Sequence, residues 1–231
     1  MALLFRKWLF ALIIATGLIH LVTLSADSEP LHWVFKLAPM LLIIAFAAGK
    51  SGGSRLYATL IVAGLVFGIA GDACLLMDGD SWFTAGLGSF LTGHVLYAAA
   101  MLPRLKRSWL LALSVVPIAA YSSWMAVRFH ESLMNDSTQS GLWLPVLVYV
   151  IVLSLMCWLA LMTGNGYAAA GAVLFVASDS ILAWNKFVHA FSAAGFCIML
   201  TYFAAQLLIA CSIGSGGKRR RTAAGRAQLR G

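Results

Sequence analysis

Three ionisable side chains stand where an apolar sequence should have none: Lys36, Asp72 and Asp179 each lie inside a long hydrophobic run. A charge at the centre of a membrane helix costs about 2.5–3.5 kcal/mol on insertion scales, and less nearer an interface. A lysine can snorkel back to water, so Lys36 alone needs no function. An aspartate is too short for that. Asp72 and Asp179 are therefore either helix-to-helix hydrogen-bonding groups or functional carboxylates, the default reading of an acid inside a span. A pair of them could relay protons, and pairing with Lys36 would offset much of the insertion cost.

Spacing adds further candidates. Gly64, Gly68, Gly71 and Asp72 fall at i, i+4, i+7 and i+8, on one helical face. Gly171, Phe175, Ser178 and Asp179 repeat that spacing, as do Gly86, Phe90, Gly93 and His94, with Tyr97 one turn on. Small residues let helices approach closely. Packing alone explains Gly64 and Gly171, but a packed face that also carries an acid or a histidine reads as the wall of a polar cavity. Tyr149, Tyr202 and Gln206 are further polar groups within apolar runs, the last two sharing a face. Each such residue is more often an interhelical hydrogen-bonding group than a catalytic one. There is no H-E-x-x-H, no G-x-S-x-G and no phosphate-cradling loop, and His20, His32, His94, His130 and His189 are scattered. No metal and no cofactor is expected.

The elements that position these residues follow from composition. The chain has 231 residues, 61% hydrophobic and only 10% charged, against about 25% charged in soluble domains. A soluble enzyme and a disordered chain are excluded. With about 20 residues per span, the apolar runs give an all-α bundle of eight spans, near 8–25, 32–49, 56–77, 82–102, 108–128, 142–162, 166–185 and 190–213. Residues 1–213 form one transmembrane domain and 214–231 a basic tail. The start, Arg6-Lys7 before a long apolar run, reads as a first span and not a signal peptide. Cys74, Cys157, Cys197 and Cys211 form no C-x-x-C pair.

Charge orients the bundle. Arg6, Lys7, Lys50, Arg55, Arg104, Lys106, Arg107 and the tail from Lys218 to Arg230 gather at one side. Asp27, Glu29, Asp78, Asp80, Glu131 and Asp136 gather at the other, with only Arg128 and Lys186 as cations. Positive loops stay cytoplasmic, which places both termini inside, as an even span count requires. The net charge of +8 has the same origin, and the tail reads as an anchor on anionic membrane lipid rather than a nucleic-acid site. Lys36, Asp72 and Asp179 then fall at a common depth, roughly 6–9 Å below the outer boundary at 1.5 Å per residue. Asp72 and Asp179 are 107 residues apart within similar flanks, and Pro39 and Pro145 keep nearly that offset. A four-plus-four parallel duplication is the expectation.

At this point the sequence resembles a known family. Lys36-Leu37-Ala38-Pro39-Met40-Leu41-Leu42 is similar to the K-P-x-P-M-L-L stretch of the lysoplasmalogenase (YhhN-type) membrane proteins. Gly71-Asp72, the series Phe83, Gly86, Phe90, His94 and Tyr97, the block from Gly171 to Ser178-Asp179-Ser180, and Tyr202 with Gln206 resemble its later motifs in the same order, over about residues 32–210. Leu37 departs from the pattern where a first proline often stands. The resemblance implies a membrane hydrolase of the vinyl-ether bond of lysoplasmalogens, releasing a fatty aldehyde and glycerophosphoethanolamine or glycerophosphocholine. It implies Asp72 and Asp179 as the catalytic pair, a lysophospholipid substrate and a bacterial inner-membrane location. A vinyl ether is cleaved by protonation of its β-carbon and capture of the oxocarbenium ion by water. Two carboxyl groups can divide those duties, with Lys36 pairing one of them or holding the substrate phosphate. Lys36, His94, Tyr97, Tyr149, Ser178, Tyr202 and Gln206 are the expected supporting residues. The alternative is a proton-coupled carrier using the same aspartates; a non-catalytic lipid-binding protein is a third.

Overall fold

The computed structural model describes residues 2–24, 29–136 and 138–215. These residues form helices joined by short turns: α1 (Ala2–Thr23), α2 (Glu29–Ala48), α3 (Arg55–Cys74), α4 (Asp80–Met101), a short α5 (Trp109–Ala112), α6 (Val115–Asn135), α7 (Trp143–Met162), α8 (Gly166–Phe187) and α9 (Ala194–Cys211). No strand occurs among the described residues. Asp27 and the basic tail from Lys218 lie outside them.

Among the described residues, seven helical stretches are long and apolar enough to cross a membrane. α2 adds a further apolar stretch, Trp33–Ala48. The eight expected spans all appear as helices. Large apolar side chains face outward all around the bundle, among them Trp8, Val22, Leu56, Val116, Leu144 and Ile151. Water would not tolerate that surface; lipid does. The protein is a multi-pass membrane protein.

The fifth span differs from expectation. It breaks at Leu113–Ser114 and then runs on to Asn135, beyond the expected end at residue 128. Pro117 supplies no N–H and its ring crowds the carbonyl of Leu113, one helical turn back. Val116 N instead donates to Leu113 O at 3.0 Å, a tight turn. The extension carries Arg128 and Glu131, which pair at 3.1 Å and hide its helical character from a hydropathy reading. Met125, Phe129 and Leu133 recur every fourth residue and bury its inner face.

α9 is the centre: half of it (50%) is buried, against 6% of Trp109–Asn135 at the periphery. The closest-packed pairs are α3 with α4 and α8 with α9. A Cβ on Gly93 of α4 would lie 3.1 Å from the Gly64 carbonyl of α3, and one on Gly171 of α8 would lie 2.9 Å from the Ala205 carbonyl of α9. These are the helix pairs the expected duplication would relate, although the duplication itself remains an expectation. At the end of the bundle where α9 finishes, Lys50 Nζ donates to Cys211 O at 2.8 Å and Arg6 to Gly49 O at 2.7 Å. Arg104 lies 3.5 Å from the centre of the Tyr57 ring. Arg6 and Lys50 therefore also close helix C-termini, where carbonyls lack partners.

Candidate active site

α3 carries Asp72 to the middle of the bundle because its inner face is glycine. A Cβ on Gly64 would enter the Tyr97 ring, one on Gly71 would lie 2.7 Å from Phe90, and one on Gly68 2.7 Å from Gln206 Nε2. Aromatic side chains of α4 and polar ones of α9 fill the space the glycines leave. Asp72 is 2% exposed there, and its Oδ2 accepts a hydrogen bond from Tyr202 Oη at 2.6 Å. Gln206, one turn below Tyr202, accepts from Tyr97 Oη at 2.7 Å through Oε1. Tyr97, Gln206, Tyr202 and Asp72 thus link α4, α9 and α3.

α8 carries Asp179, whose Oδ2 accepts from Tyr149 Oη of α7 at 2.5 Å. His94 Nε2 of α4 lies 2.9 Å from Tyr149 Oη and 3.2 Å from Asp179 Oδ2. Tyr149 has one hydroxyl proton and spends it on the carboxylate, so Nε2 of His94 is the donor. The imidazole is held in place by an edge-on contact with Phe175, centroids 4.6 Å apart. Each aspartate therefore has one oxygen tethered by a tyrosine from another helix, while its Oδ1 takes part in no hydrogen bond among the described residues.

Both carboxylates line one cavity of about 470 Å³, with Lys36, Tyr202, Ser178, Asn185, Lys186 and His20. Lys36 faces Asp72 at Coulombic range, without a contact ion pair between the two. Lys186 stands at the outer side, 3.9 Å from Asp80 and over the Phe83 ring at 5.0 Å. The cavity thus combines two acids, two amines and an aromatic lip. Such a set can bind an anionic headgroup and move protons at a neighbouring atom.

The YhhN family model matches residues 31–213. The chain belongs to the YhhN family. Among its curated relatives, mouse "Lysoplasmalogenase TMEM86B" is 34% identical over 211 residues, covering 90% of this chain and 86% of the relative. The human protein of the same name is 33% identical over 211 residues, 89% of this chain and 86% of the relative. The Mycobacterium tuberculosis "Lysoplasmalogenase" is 32% identical over 176 residues, 74% and 65% respectively. No solved structure matches the chain.

All nine residues singled out in this YhhN-family sequence belong to one assembly. Lys36, Asp72, Ser178, Asp179 and Tyr202 line the cavity, and His94, Tyr97, Tyr149 and Gln206 stand behind its acids. Ser178 also ties α8 to α9, donating to Ile198 O at 3.1 Å. The count from the helix ends needs correction: α3 ends at Cys74, two residues past Asp72, whereas α8 continues to Phe187. The two acids nonetheless line the same cavity. His20, Asn185 and Lys186 were missed as site residues. His20 was legible as a polar residue in an apolar run; Lys186 read only as a loop cation until α8 was seen to carry it over the cavity.

Proposed function

We propose that this protein hydrolyses the vinyl-ether bond of a lysoplasmalogen, as the names of its curated relatives state for them. The observation that carries the reading is two carboxyl groups, each tethered by a tyrosine, opening with Lys36 on one cavity. Lys36 and Lys186 hold the phosphodiester, and the sn-1 vinyl ether lies between the acids. Asp179, which accepts from Tyr149 and His94, is assigned the part of the base. Asp72, more deeply buried, is assigned the part of the acid.

Asp72 protonates the β-carbon of the R–CH=CH–O– unit, and the resulting oxocarbenium ion is stabilised by the Asp179 carboxylate. Asp179 then takes a proton from the attacking water. The hemiacetal collapses to a fatty aldehyde and the glycerol hydroxyl of a glycerophosphoethanolamine or glycerophosphocholine. One water is consumed, and the proton lent by Asp72 is returned through Asp179. The end of the bundle bearing Arg6, Lys50, Arg104 and Lys106 faces the cytoplasm by the positive-inside rule, in a bacterial inner membrane, with both termini inside. Substrate then reaches the cavity from the outer half of the bilayer.

The test is aldehyde release by detergent-purified protein from lysoplasmenyl-ethanolamine, beside the saturated alkyl-ether analogue. Release from the first alone is the expected result. Asp72→Asn and Asp179→Asn should each lower kcat by about 10²–10⁴-fold, the worth of one acid or base, with the fold retained. Full turnover in either variant refutes the two-carboxylate mechanism. No cleavage, together with pH-dependent flux in proteoliposomes, replaces the hydrolase by a carrier.

A further inference from the structure

The 470 Å³ cavity is not the only space that Asp179 borders. A second, narrow crevice of about 60 Å³ lies between α4, α6, α7 and α8, and it shares Phe83, Phe90, Leu75, Leu182 and Asp179 with the first. Past Asp179 its walls are Val150, Leu153, Met125 and Val176. At its inner end Ser122 and Ser154, whose hydroxyls lie 2.6 Å apart, join α6 to α7, and Ser154 Oγ donates onward to Val150 O at 2.6 Å.

Most of the polar groups in this crevice are already occupied, Ser180 and Tyr121 being its other polar side chains. The Tyr149 hydroxyl is spent on Asp179, and the two serines bond each other and the backbone. Asp179 is the one charged residue lining it. An occupant must therefore be apolar along its length, meet a carboxylate at one point, and continue into a polar cavity holding Lys36 and Lys186. Its mainly apolar lining suits a hydrocarbon chain.

We propose that the crevice holds the alkenyl chain of the substrate, threaded past Asp179 toward the Ser122–Ser154 pair. This rests on the hydrolase reading and deepens it. The carbon next to the ether oxygen sits at the junction of the two spaces, beside Asp179, because chain and headgroup demand opposite surroundings on either side of it. From Tyr149 to Ser154 is five residues of helix, about 7.5 Å. The chain is gripped over that length, and its remainder passes Tyr121, which is 40% exposed, into the bilayer.

Ser154→Phe would obstruct the inner end, far from both acids along the crevice. With hexadecenyl and butenyl lysoplasmenyl-ethanolamine as paired substrates, the hexadecenyl-to-butenyl ratio of kcat/KM should fall at least tenfold from the unsubstituted protein. A ratio unchanged within twofold overturns the proposal. A second measurement needs no turnover and tolerates failure of the bulky variant. Ser154→Cys is labelled with a maleimide, and modification at position 154 is read by peptide mass with and without non-hydrolysable hexadecyl-lysophosphocholine. Protection of several-fold supports the chain site even should vinyl ethers prove not to be cleaved; equal labelling refutes the chain site even should they be cleaved.

Discussion

At the scale of single residues, the tyrosines distinguish this site from a bare pair of acids. Tyr202 and Tyr149 approach Asp72 and Asp179 at 2.6 and 2.5 Å from helices that carry neither acid. A hydrogen bond to a charged partner contributes about 1.5–3 kcal/mol, and each also fixes which way a carboxyl group points. Tyr149→Phe and Tyr202→Phe are therefore expected to lower kcat by about 10- to 100-fold, with less effect on KM, measured as aldehyde release. Lys186 stands at the cavity mouth and touches neither acid. Lys186→Met should instead raise KM several-fold while leaving kcat near its original value, and the effect should shrink as salt screens the phosphate. A fall in kcat with unchanged KM would remove Lys186 from headgroup binding. The identities of the acids, of Lys36 and of the two tyrosines were readable from the sequence, because each is a polar group stranded in an apolar run. Which tyrosine serves which acid was not, since those partnerships join helices up to 130 residues apart.

At the scale of elements, the glycine faces decide how closely the acids approach. The sequence spacing showed Gly64, Gly68 and Gly71 on the face of Asp72, and the fold fills that face with Tyr97, Gln206 and Phe90. Gly171 meets backbone, the Ala205 carbonyl, which cannot swing aside as a side chain can. Gly171→Ala should thus cost about 1–3 kcal/mol by overpacking, read as a lower Tm in detergent. Gly68→Ala presses on Gln206 and the Tyr202 hydroxyl, which are side-chain ends. Its expected signature is a loss of activity larger than its loss of Tm. Equal stability losses in the two variants would show that the glycines do no more than pack. The break at Leu113–Ser114 belongs to this scale too: Pro117 signalled it, but the charged pair Arg128 and Glu131 masked the helix beyond.

At the scale of the whole molecule, Arg6 and Lys50 close helix ends and Arg104 stacks on Tyr57 on the side where α9 finishes, and the acids open toward the other. Lys50→Ala leaves the Ala210 and Cys211 carbonyls without its ammonium and should lower Tm, while kcat on purified protein stays within twofold because the cavity lies at the far end. Topology reporters fused to each terminus should both read cytoplasmic; a split result would overturn the orientation. The amino-acid sequence alone determined the membrane class, most helices but not the break and extension of the fifth, and the asymmetry of charge, and it singled out nine polar residues in apolar runs. Each of these follows from local hydropathy, helical period or simple composition. Tertiary structure alone decided that one oxygen of each acid is tied while the other has no hydrogen-bond partner among the described residues, that Lys186 overhangs the cavity, and that an apolar crevice meets the polar one at Asp179. Those features depend on how helices tilt and rotate against one another, and a pattern of 3.6 residues per turn gives the face of a helix but not the neighbour that it meets.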